Sequence, residues 1–178
     1  MNKEEIIIHL KRNHAAFIDG IDSLNENEFN FAPAGKWNTG QTLDHLGRAV
    51  GALASALTLP LFLFAGLFGK ANRPSKTYDG LVTRYKEKLA AGGKAHSRYL
   101  PKKISYADRK KAFAALQKSV DKICRVIGRY SEEQLDNYIL PHPLLGKITL
   151  REMMFFTIYH AEHHRLIILR DVAVLQSS

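Results

Sequence analysis

Residues 149–171 read Thr-Leu-Arg-Glu-Met-Met-Phe-Phe-Thr-Ile-Tyr-His-Ala-Glu-His-His-Arg-Leu-Ile-Ile-Leu-Arg-Asp, and their pattern decides the kind of fold. Thr149 and Glu152 stand in capping-box spacing: the threonine hydroxyl accepts the third helical N–H, and the glutamate accepts the cap's own N–H. A helix starts there. At about 100° per residue, Met153, Thr157, His160, His164 and Ile167 fall on one stripe, with Phe156 and His163 at its edge. Two imidazoles one turn apart thus face an apolar interior. A lone buried histidine is ordinarily a core residue whose ring N–H meets a carbonyl. A pair at i and i+4 on an inward stripe fits equally well two ring nitrogens brought to one metal ion. The zinc-protease motif His-Glu-x-x-His is excluded, because Glu162 lies two residues after His160 and about 200° round the helix, out of reach of the same ion.

The 178 residues, 46% of them hydrophobic, suffice for one domain with a full core and are short for two. One domain spanning 1–178 is expected. Cys124 is the only cysteine, so neither an internal disulfide nor a thiolate metal site is available, and a metal would be held by nitrogen and oxygen. The start, Met-Asn-Lys-Glu-Glu, lacks the apolar core of a secretory signal, which points to the cytoplasm. The net charge of +9 is concentrated between Gly69 and Lys111. No nucleic-acid motif accompanies it, and only Tyr78, Tyr85, Tyr99 and Tyr106 stand ready to stack, so these cations read as a solvated face.

Ile6, Leu10, Phe17, Ile21 and Leu24 recur at helical spacing and define a first amphipathic helix, on which His9 and His14 read as structural or surface residues. Asn25 to Trp37 is a polar connection with a short turn packed by aromatics. Asn38 with Gln41 then caps a second helix from about Thr39. Its residues Leu43, Leu46, Val50, Leu53 and Leu57 form one stripe, and His45, Ala49, Ala52 and Ala56 a second nearly opposite, so the helix is enclosed on two sides. In a protein with a ligand site, part of the alanine row is expected to line it.

Ala49 to Gly69 carries no charge, yet Pro60 and several glycines interrupt it. It reads as a buried helix followed by an apolar loop or short helix rather than a membrane span, with Leu61 to Phe68 left as a dimer contact or a pocket lid. A short helix is expected from Tyr78 to Ala90. Ser105 with Asp108 opens a third long helix bearing Phe113, Leu116, Val120, Ile123 and Ile127, with Cys124 beside them as an inert core residue. Ser131 to Leu135 is a capped turn. Pro141-His142-Pro143 with Gly146 makes a stiff loop, whose His142 is a loop residue unless the mouth of the bundle touches substrate. No segment sustains strand alternation. The fold class is all-α: four long helices with a long crossover between the second and the third, a bundle in which cofactor sites form where facing helices meet.

Three stretches carry a resemblance to a known family: Lys36-Trp37-Asn38-Thr39-Gly40-Gln41-Thr42-Leu43-Asp44-His45-Leu46, His142-Pro143-Leu144-Leu145-Gly146-Lys147-Ile148-Thr149, and Thr157-Ile158-Tyr159-His160-Ala161-Glu162-His163-His164. The chain resembles the DinB-like (YfiT-like) metal-binding four-helix bundles over nearly its whole length. The resemblance implies one divalent metal ion, typically nickel or zinc, held by His45 of the second helix and by His160 and His164 of the last. His163, roughly 60° off the stripe, is the rival third ligand and is expected either behind the three ligands or against a neighbouring helix. Asp44 could orient His45 only past its own helix, which leaves Asp171 as the inward carboxylate. Related bundles include metal-dependent hydrolases and transferases that use low-molecular-weight thiols such as bacillithiol. The implied function is metal-dependent hydrolysis or thiol transfer on a small molecule, against the alternative of a non-catalytic metal-binding or stress-related module. A homodimer is one possible assembly, if Leu61 to Phe68 is a dimer contact rather than a pocket lid.

Overall fold

The computed structural model describes residues 1–94 and 96–177. Helix α1 (Lys3–Asp22) is followed by the one-turn α2 (Glu26–Asn30), and α3 (Thr39–Ala56) leads into α4 (Leu61–Phe68). Helix α5 (Tyr78–Ala90) and a 3₁₀ turn (Ser97–Tyr99) lie in the crossover before α6 (Arg109–Ile127). The chain closes with α7 (Glu132–Asn137), a hairpin of β1 (Ile139–His142) and β2 (Gly146–Thr149), and α8 (Leu150–Gln176). Capping boxes at Asn2/Glu5, Asn25/Glu28, Asn38/Gln41, Ser131/Gln134 and Thr149/Glu152 start α1, α2, α3, α7 and α8. Each satisfies two N–H groups that a helix leaves without internal acceptors.

The four long helices form a ring. Helix α1 packs chiefly on α8 and α6, and α3 on α6 and α8. Consecutive long helices α1 and α3 therefore lie across the diagonal, while α3 and α8, far apart in sequence, stand side by side. Helix α8 is buried on more than one face. Ile158 and Arg165 meet α1, whose Asn13 side chain donates to the Ile158 carbonyl at 3.2 Å and whose Gly20 lies against the Arg165 side chain. His160 and His164 face the interior. The one hydrophobic core includes Phe17, Phe29, Phe64, Leu116 and Phe155, all at most 2% exposed; burying side chains of this size contributes about 1.5–3 kcal/mol each.

The crossover is anchored by the residue that caps α8. Glu152, wholly buried, accepts both Arg73 Nη atoms at 2.6 and 2.8 Å and the Lys76 N–H at 2.8 Å while completing its own capping box. Burial raises its pKa, but the Arg73 and backbone hydrogen bonds outweigh that, and the carboxyl sits below its ordinary value. At the other end, Gly40 admits the crossover: a Cβ there would lie 2.5 Å from the Ile104 carbonyl oxygen and 3.0 Å from the Phe29 ring.

Three expectations need correction. The loop around Pro141-His142-Pro143 belongs to a hairpin, with Leu140 opposite Ile148 and Pro141 opposite Lys147. Four-residue strands are too short for alternation to register, and a two-stranded ribbon has only edge strands, where a proline, which has no N–H to give to the ladder, is tolerated. Gly146, at φ +75°, makes the left-handed bend. The third long helix starts at Arg109, because Ser105 and Asp108 spend their side chains on each other in a preceding turn. Asp171 is buried but does not line the interior cavity: Lys36 Nζ at 3.3 Å and Arg170 at 2.9 Å hold it.

Among the described residues no single helix is long and apolar enough to cross a membrane. Helices α3 and α4 pass together but are bent by 107° at the break, which contains Pro60.

Candidate metal centre

His45 lies on α3 about two turns after the Asn38 cap, and His160 and His164 lie on α8, the neighbouring helix. All three are buried. His45 Nε2 is 3.3 Å from His160 Nε2, which is 2.9 Å from His164 Nε2. The three ligand atoms lie within 4.8 Å of one another.

The tautomer of His45 follows from its surroundings. Its Nδ1 is 2.8 Å from the Tyr99 carbonyl oxygen, which can only accept, so Nδ1 carries the proton and Nε2 presents a lone pair. Asp44 holds the same loop by accepting the Lys102 N–H at 2.7 Å while pairing with Arg48. It makes no hydrogen bond to the ring but steadies the loop that does, and its charge opposes part of the lowering of the His45 pKa by burial.

Burial lowers the pKa of His45, and burial with the neighbouring imidazoles lowers those of His160 and His164 well below the ordinary value. Three neutral rings therefore converge. A single Nε2 proton on His160 can be donated to one neighbour only, which leaves a lone pair opposed to a lone pair at the other contact. A cation relieves that opposition. Two imidazole nitrogens bound to one divalent ion at about 2.1 Å each stand at most about 4.2 Å apart, and the 3.3 and 2.9 Å separations fall within that span. The residues present fit a divalent ion.

A cavity of about 370 Å³ opens beside these nitrogens. Ala49, Ala52 and Ala56 of α3 line it, as do Leu89 of α5, Leu140 and Leu144 of the hairpin, and Met153 of α8. The ring of Trp37 stands 5.0 Å from that of His45, and Phe156 stacks on His160 at 4.7 Å. No Asp or Glu contributes to the lining among the described residues.

His163 stands outside the nitrogen cluster. It lines the cavity and stacks on Tyr159 at 5.7 Å, and burial, reinforced by Arg170, lowers its pKa. His142 also lines the cavity, with its pKa lowered to about 4 by burial. Tyr85 lies across from both, its phenol raised to about 12 by burial. Sequence reasoning left Tyr85 and the Tyr99 carbonyl unassigned. A backbone acceptor 54 residues from its histidine leaves no mark in side-chain pattern.

Fold and site together define a four-helix bundle with a three-imidazole cluster of metal-binding geometry. The sequence profile of the DinB superfamily matches residues 9–168, and the chain belongs to that superfamily. YfiT from Bacillus subtilis, described as a probable metal-dependent hydrolase with an unusual four-helix bundle topology, is similar in fold. Its TM-score is 0.65 at 17% identity, over 98% of this chain and 87% of YfiT. A conserved protein from Enterococcus faecalis is similar at a TM-score of 0.63 and 18% identity, over 100% of this chain and 99% of that one. No curated protein matches the sequence.

Proposed function

We propose that the chain is a metal-dependent enzyme of hydrolase or low-molecular-weight-thiol transferase type, acting on a small molecule at a nickel or zinc ion held by His45, His160 and His164. The observation that carries this reading is the cavity: the three converging nitrogens border space large enough for a small ligand. A purely structural ion would be closed by a fourth protein ligand. The description of YfiT as a probable metal-dependent hydrolase supports the same class.

When bound, such an ion supplies Lewis acidity and lowers the pKa of a coordinated water or thiol. The protein's own residues do the rest. Tyr99 fixes His45 with its Nε2 lone pair inward, Phe156 stacks against His160, and the alanine face of α3 leaves room for the substrate. Without a carboxylate in the lining, the cavity offers no acidic side chain as general base.

The test is turnover of a panel of cellular thiols with a small electrophile, beside a panel of esters and amides, using protein loaded with nickel or zinc. Thiol conjugation lost in His45→Ala, His160→Ala and His164→Ala supports the proposal. Activity retained at wild-type level in all three variants refutes it.

A further inference from the structure

Three polar residues of the cavity lining, His142, Lys94 and Arg98, share one character. His142 Nδ1 accepts the Leu144 N–H at 3.2 Å and the Leu145 N–H at 3.1 Å. In a neutral imidazole the proton then resides on Nε2, at the far side of the ring from the turn. No partner for that N–H is found among the described residues, and the residue borders the cavity. Lys94 and Arg98, both exposed, border it at the rim. These groups donate and carry positive charge, and no acid in the lining opposes them. The opposite wall is the row Ala49, Ala52 and Ala56, whose small side chains leave space next to apolar surface.

From this arrangement we infer that the cavity selects an amphipathic anion. Its apolar body lies along the alanine face of α3, an acceptor atom meets His142 Nε2–H, and its negative charge is drawn by Lys94 and Arg98. The inference rests on reading the cavity as the substrate site, and it adds the class of molecule admitted. A neutral ligand of the same shape gains the apolar wall and the His142 donor but not the field of the two cations. A cation is repelled.

The chain supplies its own reporter. Trp37 is the only tryptophan and borders the cavity, so ligand entry is read by its fluorescence. The experiment titrates the full chain with 4-phenylbutyrate and with its neutral counterpart 4-phenylbutanamide after a chelator has stripped any metal, so that the rim cations alone are read, and measures the metal bound by the same preparations before stripping. The acid is expected to bind about tenfold more tightly than the amide, as two partly screened charges at the rim imply. Lys94→Glu with Arg98→Glu, both exposed and verified as folded by the melting curve, removes that advantage and leaves the amide unchanged. Ala56→Phe, verified as folded by its melting curve, weakens both ligands. His142→Asn keeps a side-chain oxygen for the turn but withdraws the Nε2 donor, and it too weakens both.

Equal binding of acid and amide, or an advantage that survives the double charge reversal, overturns the inference. Metal content separates the two levels of the argument. Anion preference in protein that binds no metal refutes the proposed metalloenzyme and leaves the inference standing, whereas protein that held metal before stripping but shows no preference does the reverse.

Discussion

Replacing Glu152 by alanine removes the one carboxylate on which both the start of α8 and the crossover depend. Four donors lose their acceptor: Arg73 Nη1 and Nη2, the Lys76 N–H and the Thr149 N–H. Each buried amide left without a partner costs about 1–3 kcal/mol, and a lost helix cap about 1 kcal/mol. Arg73 remains 34% exposed and recovers part of its hydration, which holds the expected loss to about 3–5 kcal/mol. Against a total stability of about 5–15 kcal/mol this is large. With a urea m-value of about 2 kcal/mol/M, it shifts the unfolding midpoint by about 2 M. Because Arg73 and Glu152 act as a pair, Arg73→Ala in the Glu152→Ala background is expected to cost far less than it does alone. The histidines, two and more turns further along α8, keep their places, so metal content persists while the crossover loosens. Urea denaturation of the two single variants and the double variant reads all of this. A loss below about 1 kcal/mol for Glu152→Ala, or strict additivity of the two changes, would refute the anchoring role.

Two further changes probe the frame around the site. His14 is fully buried, its Nδ1 donates to the Leu10 carbonyl at 2.8 Å, and burial lowers its pKa from 6.5 to about 4. The unfolded chain takes up this proton first, so the stability contribution is complete above pH 6.5 and is lost as pH falls from there towards 4. The loss amounts to about 3 kcal/mol. Wild type is therefore expected to lose about 3 kcal/mol relative to His14→Leu as pH falls from 6.5 towards 4, and parallel curves would refute this. Gly40→Ala drives a Cβ to 2.5 Å from the Ile104 carbonyl oxygen and is expected to destabilise by about 1–3 kcal/mol. An unchanged melting temperature would contradict that packing.

Local signals that act through near neighbours were legible in the sequence. The Thr149/Glu152 and Asn38/Gln41 boxes place the starts of α8 and α3, and the alanine row of α3 meets the cavity. The His160/His164 stripe follows from helical period alone. What the sequence concealed are partnerships made at a distance. Glu152 reads as a cap and is also the anchor for Arg73. Asp171 reads as an inward acid, but Lys36, 135 residues away, draws it aside. His142 reads as a loop residue, and only the hairpin register turns its Nδ1 to its own backbone and leaves Nε2 to the cavity. The Asp44 contact with Lys102 N likewise depends on how the crossover folds back, which no periodicity encodes.

The convergence of His45, His160 and His164 on one ion is tested most directly by metal content after purification without an affinity tag. Wild-type protein is predicted to carry one nickel or zinc ion per chain, and His45→Ala, His160→Ala and His164→Ala, each still folded, to lose it. Wild-type protein free of metal after exposure to both ions, or folded variants that retain a full equivalent, would contradict the proposed site.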